Sequence, residues 1–417
     1  MASLPFRPCC FAPPAELQAR RSKNSRARTE AQKGPAATMQ AMDSAQSQLI
    51  QIAERVRAAA ADATPLRIRG GGTKDFHGLA LQGELLDTRA LAGVVSYEPS
   101  ELVVTVRAGT PLAEVEALLA AQGQCLAFEP PHFEGADGRA TVGGMVASGL
   151  SGPSRASVGA VRDFMLGLEM INGQGELLRY GGQVMKNVAG YDVSRLMAGS
   201  WGTLGLITEV SLKVLPVAPA EATLRFECTQ QQALDWLNAW GGQPLPLNAS
   251  CWLQEDSAAQ GVLYLRLRGA RAAVQAACGR LGGERMHSAA ADWQACREHQ
   301  LPWFTARAPG HALWRLSVPQ TAPALALPDG CTGPLVEWHG ALRWVQAPRA
   351  LGHALRTLAK AAGGSATLFR SEAADQPGAE PDFDAQAADA TAALHARLKQ
   401  AFDPAGIFNR GRLAAAW

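Results

Sequence analysis

The sequence has few of the features that mark membrane, metal-binding or iron–sulfur proteins. No stretch approaches the roughly 18 consecutive apolar residues that indicate a membrane-spanning helix. The eight cysteines are scattered and include no C-x-x-C pair, which argues against a zinc knuckle or an iron–sulfur cluster and predicts reduced thiols in a cytoplasmic protein. The eight histidines include no pair at metal-ligand spacing, so we predict no metal site.

Charge is sparse as well, at 18% of residues and a net +2. Residues 1–42 hold seven basic and two acidic side chains, and the rest of the chain has a net charge of −3. Nucleic-acid binding needs a basic face on the folded part, and this mildly acidic body argues against it. Residues 1–42 also lack the apolar segment of a secretory signal. We expect a disordered leader or an extension from an upstream start codon, with an organelle transit peptide as the alternative.

The composition is that of a globular protein, with 47% hydrophobic residues. A length of 417 residues is enough for two or three domains. Twenty-four of the 42 glycines lie between Leu66 and Pro216, whereas eight of the ten tryptophans lie between 220 and 345. This change in composition predicts a domain boundary near 217. The predicted organisation is a leader (1–42), a first domain (43–217, with lobes of about 43–95 and 96–217), a second domain (218–383) and a C-terminal helix and tail (384–417).

Local patterns predict several elements of these domains. Helical spacing of apolar residues predicts a first helix from Ser44, capped by Ser44 or Asp43, to about Ala61. Alternation predicts strands in the second domain at 262–267 and 342–345, with helices at 270–281 and 351–361. A polar loop at 371–383 and a last helix from about 384 to 401 complete the prediction.

A glycine-rich turn follows the predicted strand at 66–69. Residues 69–74 read Arg-Gly-Gly-Gly-Thr-Lys. Three consecutive glycines allow neighbouring amides to turn toward one anion, and Thr73 and Lys74 add a hydroxyl and a charge, so the segment suits a diphosphate. It matches neither a Walker loop nor G-x-G-x-x-G, and a purely structural turn is equally compatible with it.

A second glycine-rich segment, residues 141–149, reads Thr-Val-Gly-Gly-Met-Val-Ala-Ser-Gly, and Gly-Ala-Val-Arg-Asp follows at 159–163. Small side chains leave room for a flat ring system against the backbone, and Thr141 and Ser148 can hydrogen-bond to its heteroatoms. The alternative is a helix of small residues packed tightly on a neighbour.

Three further segments make the pattern specific. Residues 186–192 read Lys-Asn-Val-Ala-Gly-Tyr-Asp, residues 202–209 read Gly-Thr-Leu-Gly-Leu-Ile-Thr-Glu, and residues 402–409 read Phe-Asp-Pro-Ala-Gly-Ile-Phe-Asn. In order and spacing, residues 44–216 resemble the PCMH-type FAD-binding domain of the vanillyl-alcohol oxidase family, found in flavin-dependent D-lactate and glycolate dehydrogenases. The resemblance implies an α+β fold in which a two-lobed FAD-binding domain is followed by a smaller α/β cap domain with an antiparallel sheet.

The resemblance also implies how FAD is held. The 70–74 loop takes the pyrophosphate, residues 141–149 line the diphosphate and isoalloxazine, and residues 202–207 meet the flavin or adenine. Thr73 stands where relatives with a covalent flavin have histidine, which implies non-covalent FAD, and we interpret His77 as a loop histidine. The implied FAD-binding residues are Arg69, Gly70, Gly71, Gly72, Thr73, Lys74, Thr141, Gly143, Gly144, Ser148, Gly149, Asp163, Gly202, Thr203, Gly205, Ile207 and Asn409.

One family feature is missing, the Gly-Asp-Gly-Asn-x-His segment with which catalytic relatives act on 2-hydroxy acids. The catalytic residues are therefore unassigned. The short second domain and the tail look most like the FAD-binding E subunit of three-part glycolate oxidases, although Arg410 stands where that tail usually has proline. This implies an accessory or electron-transferring subunit in the oxidation of glycolate to glyoxylate, with a second, catalytic flavin subunit, an iron–sulfur subunit and at most peripheral membrane association.

Two other functions are compatible with the sequence. A self-sufficient FAD-dependent dehydrogenase of 2-hydroxy acids or other alcohols could use Tyr264, His339 or Arg343, and residues 337–340 (Glu-Trp-His-Gly) are the nearest candidate for its substrate site. A lone histidine beside tryptophan is, however, more often a packed, hydrogen-bonded residue. The third possibility is a scaffold that has lost its flavin, which would not require the intact glycine segments.

Overall fold

The computed structural model describes residues 35–80, 82–134, 138–182, 192–254, 260–371 and 390–414. The predicted leader up to residue 34, most of the segment at 184–192 and nearly all of the predicted loop at 371–383 lie outside the described residues. In the described ranges no helix combines the length and the apolar character needed to cross a bilayer.

The first lobe consists of one helix and a small parallel sheet. Helix α1 (Pro35–Ala61) packs on strands β1 (Leu66–Arg69) and β2 (Glu84–Asp87), which pair in parallel. The predicted start at Asp43 or Ser44 is wrong. Residues 36–42 are mostly strong helix formers, and a proline suits the first helical turn, so the helix extends to Pro35 and includes 35–42 of the predicted leader.

The second lobe is built on an antiparallel sheet of five described strands in the order β3-β4-β8-β6-β7. Its core lies between this sheet and helices α2 and α3. A separate small ladder, β5 with β9, lies beside it. The bounds of the strands are β3 (Val94–Glu98), β4 (Val103–Arg107), β5 (Gln124–Cys125), β6 (Met165–Ile171), β7 (Leu177–Gly181), β8 (Leu206–Lys213) and β9 (Leu215–Pro216). The helices are α2 (Leu112–Ala120), α3 (Val142–Ser148), α4 (Arg155–Val158) and α5 (Val193–Met197), with a 3-10 turn at Val161–Phe164.

The cap is an antiparallel sheet of eight described strands in the order β13-β10-β12-β11-β15-β16-β14-β17. Its strands are β10 (Ala220–Cys228), β11 (Leu247–Leu253), β12 (Gly261–Gly269), β13 (Glu284–Met286), β14 (His311–Ser317), β15 (Thr332–Glu337), β16 (Leu342–Pro348) and β17 (Ser365–Arg370). Its helices are α6 (Gln230–Gly241), α7 (Arg271–Leu281), α8 (Ala290–Arg297), α9 (Pro302–Thr305) and α10 (Gly352–Ala361), with 3-10 turns at Trp338–Gly340 and Arg349–Leu351. Two clusters of apolar side chains lie on its helix-covered face, and a third lies on the face toward the first domain.

The C-terminal segment lies against the first lobe. Helix α11 (Ala390–Phe402) ends before Asp403-Pro404, and the amide of Leu66 then donates to the carbonyl of Ile407 at 2.7 Å. The amide of Asn409 returns a bond to the carbonyl of Leu66 at 3.0 Å. The tail therefore extends the edge of β1, directly before the glycine-rich turn.

Polar contacts fix the cap on the second lobe. The Glu298 carboxylate accepts hydrogen bonds from the amides of His132 and Phe133, with shortest distances of 3.0 and 2.8 Å. Arg266 of β12 forms a largely buried ion pair with Glu129 at 2.6 Å. Buried, hydrogen-bonded pairs of this kind are expected to restrict the relative position of two domains more than exposed ones.

Candidate functional site

A cleft of about 700 Å³ lies among the glycine-rich turn, helix α3, strand β8 and the C-terminal tail. Thirteen of the predicted site residues line it: Arg69, Gly70, Gly71, Gly72, Thr73, Lys74, Thr141, Gly143, Gly144, Ser148, Gly205, Ile207 and Asn409. These residues come from four separated segments of the sequence. The fold thus brings most of the predicted set to one surface, although their contact with FAD stays a prediction.

The glycine-rich turn is shaped by close backbone approach. A Cβ atom on Gly71 would lie 1.5 Å from the carbonyl oxygen of Arg139, and one on Gly70 would lie 2.4 Å from Thr141 Oγ1. Gly72 has a φ of +75°, which glycine adopts without strain. Among the described residues, none accepts a hydrogen bond from the backbone amides of residues 70–74. A half-buried run of amides without protein acceptors suits an anionic group such as a diphosphate.

Lys74 places a buried amine beside this turn. Its side chain donates to Thr73 Oγ1 and to the carbonyl of His132, both at 3.2 Å. Burial lowers the pKa of Lys74 to about 8, while Glu298 opposes the shift and Arg370 adds to it. The amine is therefore still mostly protonated at neutral pH and remains a suitable partner for an anion.

Helix α3 supplies the opposite wall. Thr141 caps it by accepting a hydrogen bond from the amide of Gly144 at 3.3 Å, and Ser148 Oγ donates to the Met145 carbonyl at 3.1 Å. A Cβ on Gly143 would lie 2.7 Å from that of Ala108, so this glycine permits helix and strand end to touch. The sequence was compatible with either a ligand-lining segment or a helix of small residues packed tightly on a neighbour. Helix α3 is both, because it packs on the end of β4 and forms a wall of the cleft.

Four predicted site residues do not line the cleft. Asp163 instead accepts a hydrogen bond from the amide of Ala160 at 2.8 Å, which stabilises the 3-10 turn. Gly149 ends helix α3 in a left-handed conformation (φ +62°). Gly202 and the fully buried Thr203 lie behind the wall, and Thr203 donates to the carbonyl of Ser200. All four support the segments that form the cleft.

The tail contributes two residues that join these segments. Asn409 Oδ1 accepts a hydrogen bond from the amide of Ile68, and Asn409 Nδ2 donates one to the Trp201 carbonyl, both at 2.8 Å. Arg412, which sequence reasoning missed, donates to the carbonyls of Lys74, Asp75 and His77. This arginine follows the tail motif at 402–409 by only three residues, which is the one signal in the sequence that could have indicated it.

The other cleft residues outside the predicted set are Ile68, Asp75, Thr88, Ala108, Ala147 and Trp201. Ala147 belongs to the glycine-rich segment 141–149, whereas the other five carry no motif of their own and are recognisable only from the fold. His77, interpreted as a loop histidine, is buried and stacks on Trp201 with ring centroids 4.0 Å apart.

We expect Asn409→Asp to destabilise the protein by about 1–3 kcal/mol. The substitution removes the donor to the Trp201 carbonyl and puts an acidic oxygen in its place at a buried position. Urea unfolding at pH 7 measures the effect, with the exposed Asn238→Asp as the matched control. Equal midpoints for the two variants would show that the tail does not hold the cleft wall.

A second cavity, which we call the inner chamber, lies between the cap and the first domain. Its walls are Pro131, Phe133, Leu150, Ser151, Gly152, Pro153, Cys296, Arg297, His299, Arg315, Glu337, Trp338, Leu342, Trp344 and Phe369. It adjoins the cleft, because Ser148 lines the cleft and Leu150 lines the chamber, and because Lys74 bonds to the residue before Phe133.

Glu337 is the buried acid of this chamber. Trp344 Nε1 donates to it at 2.7 Å and Cys296 Sγ at 3.2 Å. Burial raises the pKa of Glu337 to about 7, with both hydrogen bonds and Arg315 opposing the shift. The carboxyl group therefore titrates near neutrality rather than at its ordinary value of 4.5.

This raised pKa predicts a specific pH dependence of stability. The folded state holds the Glu337 proton up to about pH 7 and the unfolded chain releases it near 4.5, so this stabilisation is present below pH 4.5 and lost as pH rises to 7. The unfolding free energy of the wild type relative to Glu337→Gln should fall by roughly 2–3 kcal/mol across that range. Urea unfolding of both proteins at several pH values measures it. Parallel pH profiles would contradict the prediction.

The three residues suggested for a self-sufficient dehydrogenase do not line the cleft or the inner chamber. His339 is packed, with Nε2 3.1 Å from Ser157 Oγ and Nδ1 3.0 Å from Ser250 Oγ. Arg343 is fully buried and donates to the carbonyls of Gly340, Ala322 and Pro323, and Tyr264 is buried in the cap. These positions favour structural roles.

Comparison with known proteins agrees with this geometry. A family described as FAD binding domain matches residues 47–181. The glycolate oxidase subunit GlcE of Escherichia coli (strain K12) is 46% identical over 363 residues, which cover 87% of this chain and 96% of that protein. The chain belongs to the GlcE family. The predictions of a PCMH-type FAD-binding family and of FAD as the cofactor are thereby confirmed.

More distant relatives of this GlcE-family chain match only part of it. The glycolate oxidase subunit GlcD of Bacillus subtilis (strain 168) is 30% identical over 162 residues, covering 38% of this chain and 34% of that protein. A D-lactate dehydrogenase of Archaeoglobus fulgidus is 33% identical over 154 residues, covering 36% of this chain and 33% of that protein. The relatives are oxidoreductases, which confirms the predicted enzyme class.

The fold of the GlcE-family chain is also found in solved structures. Alkyldihydroxyacetonephosphate synthase aligns with a TM-score of 0.58 at 15% identity, covering 86% of this chain and 74% of that one. The likeness confirms the predicted α+β fold class.

The GlcE-family tail keeps its turn despite the arginine at 410. Arg410 Nε donates to the carbonyl of Gly406 at 2.6 Å, and Gly411 adopts a φ of +76°. A side-chain hydrogen bond here restrains the backbone where proline would do so by its ring.

Proposed function

We propose that this chain is the FAD-binding subunit of a glycolate oxidase, which converts glycolate to glyoxylate. The observation that carries the proposal is the 46% identity over nearly the whole of GlcE, combined with a cleft whose glycine turn offers amides that have no acceptor among the described residues. The glycine segments at 70–72 and 143–144 are intact at the positions of closest backbone approach, which argues against a scaffold that has lost its flavin.

The residues present fit FAD. The amides of 70–74 and Lys74 offer hydrogen bonds and positive charge to a diphosphate, and the small residues of α3 leave a flat wall. Thr73 lines the cleft without a nucleophilic ring nitrogen, and His77 is absent from the cleft lining, which supports non-covalent binding. FAD, when bound, can accept the hydride from the α-carbon of a hydroxy acid.

We further propose that the chain works in a multi-subunit complex. The shared glycolate oxidase naming of GlcE and GlcD supports a complex with a GlcD-type flavin subunit. An iron–sulfur subunit as electron acceptor and a cytoplasmic location, with at most peripheral membrane association through the complex, are the finer parts of the proposal. The described cysteines are all free thiols, in keeping with that location.

The experiment compares the purified chain alone with the chain co-expressed with GlcD-type and iron–sulfur subunits. Both are assayed with glycolate and a dye acceptor, and both are tested for co-purification. We expect a stable complex with strong turnover, and an FAD-bearing chain with little turnover alone. Full turnover by the isolated chain would favour the self-sufficient dehydrogenase, and failure to co-purify would contradict the complex.

A further inference from the structure

The cap holds one loop of the first domain through a single carboxylate. Glu298 directly follows helix α8, and its side chain is only 9% exposed. Oε2 of this carboxylate accepts hydrogen bonds from the amides of His132 and Phe133 at 3.0 and 2.8 Å, while Oε1 lies 2.7 Å from Arg297 Nε. Both oxygens therefore have partners, and the loop is fixed to the cap at its backbone.

The peptide group between His132 and Phe133 also contacts the amine that the proposed FAD site uses. Lys74 Nζ donates to the His132 carbonyl at 3.2 Å, and the N–H of the same peptide group donates to Glu298. The peptide thus lies between an ammonium group and a carboxylate, with its dipole aligned to both charges. Hydrogen bonds linked in this way polarise and strengthen one another.

The Lys74 amine keeps a donor for a ligand. An ammonium group has three N–H donors, and two of them bond to Thr73 Oγ1 and to the His132 carbonyl. The third has no acceptor in the part of the chain that the structure describes. Because Lys74 lines the cleft, this donor and the positive charge are available to an anion there.

Backbone strain at Phe133 shows how closely the loop depends on its contacts. Phe133 has a φ of +53°, a conformation that costs a bulky residue about 1–3 kcal/mol and persists only where the surroundings fix it. Its amide bond to Glu298 and the position of its ring, 5.5 Å from Lys74 Nζ, are two such restraints. The cap therefore helps to hold the loop conformation that places the His132 carbonyl on Lys74.

Glu298 also acts on Lys74 through its charge. Burial lowers the pKa of Lys74 to about 8, and Glu298 makes the largest contribution that opposes this shift. Glu134 opposes the shift as well, whereas Arg370 adds to it. Loss of the Glu298 charge should therefore lower the pKa of Lys74 further.

The other charged side chains beside Lys74 have contacts of their own. Asp75 lies 2.6 Å from Arg69 Nε, and His132 Nε2 lies 3.0 Å from Glu116. Arg412 donates to the carbonyl of Lys74 at 2.7 Å. Glu298 is thus the acid that is linked to the Lys74 amine both through a peptide group and through its charge.

We propose that Glu298 is a positioning residue for the cofactor, which holds from the cap the peptide that accepts the Lys74 hydrogen bond and so places the Lys74 amine for the FAD diphosphate. This role rests on the proposed FAD site in the cleft. The cap then contributes to cofactor retention, although the cleft itself is built from the first domain and the tail. Because coupling between two binding events is reciprocal, bound FAD should also hold the cap more firmly on the first domain.

The test measures the FAD dissociation constant of the full-length chain by flavin fluorescence between pH 6 and pH 9. The wild type should bind most tightly below pH 8 and lose affinity above it, as Lys74 is deprotonated. Glu298→Gln keeps an oxygen for the two amides and removes the charge. Its loss of affinity should begin roughly one pH unit lower, which makes its dissociation constant about tenfold that of the wild type at pH 9 and about equal at pH 6.

Three further variants separate this role from a merely structural one. Glu227→Gln changes a cap glutamate that is 64% exposed, and it should leave the pH profile unchanged. Lys74→Met should bind FAD more weakly at pH 7 without further loss up to pH 9, and adding Glu298→Gln should not change that profile. If Glu298→Gln does not fold, Glu298→Asp keeps the charge on a shorter side chain and should weaken FAD binding about threefold or more at every pH.

Coinciding pH profiles of the wild type and Glu298→Gln would overturn the proposal, as would an effect of Glu298→Gln that persists in the Lys74→Met background. Glu298→Asp with the affinity of the wild type would contradict it as well. A chain that takes up no FAD at any pH contradicts the proposed function and this role together. A chain that binds FAD equally well with and without the Glu298 charge contradicts the positioning role alone.

Discussion

Replacing Gly71 with alanine should yield a protein that purifies with little or no FAD. The added Cβ would lie 1.5 Å from the carbonyl oxygen of Arg139, so the glycine turn or its neighbour must move. Overpacking of this kind costs about 1–3 kcal/mol, and the displaced amides are those offered to the diphosphate. We expect the FAD dissociation constant to rise at least tenfold, measured by flavin fluorescence on the apoprotein.

The control is Gly279→Ala on helix α7, where a Cβ would have no neighbour within 4 Å. Alanine is the better helix former by about 0.5–1 kcal/mol, so this variant should be slightly stabilised with unchanged FAD affinity. Normal FAD binding by Gly71→Ala would exclude the turn as the diphosphate site.

Lys399→Met should cause the largest loss of stability among the substitutions considered, about 3–5 kcal/mol. The buried Lys399 amine lies 2.7 Å from Asp403 Oδ2 and also donates to the carbonyls of Thr203 and Phe408. Methionine keeps the volume but leaves the Asp403 carboxylate buried without its counter-ion. Because this clamp holds the tail on the cleft wall, FAD loss should accompany the loss of stability in urea titrations.

Arg55→Met provides the matched exposed pair, since Arg55 and Glu84 are 43% and 62% exposed. Removing such a pair changes stability by no more than about 1 kcal/mol. If the two substitutions lowered the free energy of unfolding by similar amounts, burial would not be the reason why the Lys399–Asp403 pair stabilises the protein.

The sequence was most informative where one short segment forms one wall. The segments Gly70–Gly72 and Thr141–Ser148 could each be recognised from the sequence alone. Closely spaced glycines indicate that the backbone comes close to a neighbouring group at that point. Asn409 could be predicted because the tail motif is specific. The same reasoning assigned Asp163 and Thr203 to the cofactor, but their hydrogen bonds in this structure are internal to the chain.

The inner chamber could not be predicted because its walls come from widely separated segments. Arg315 and Phe369, which both line it, come together only through the pairing of β14 with β17, and neither belongs to a motif. The sequence did suggest Glu337–Gly340 as a substrate site. Glu337 and Trp338 do line the chamber, but His339, the residue singled out, bonds to two serine hydroxyls outside it.

The central claim is that this chain holds FAD non-covalently in the cleft formed by the glycine turn, helix α3 and the tail. The most direct measurement is the flavin content of the purified chain, before and after acid precipitation. We expect one FAD per chain, with all of the flavin released into the supernatant. A colourless chain that takes up no added FAD, or flavin that stays with the precipitated protein, would contradict it.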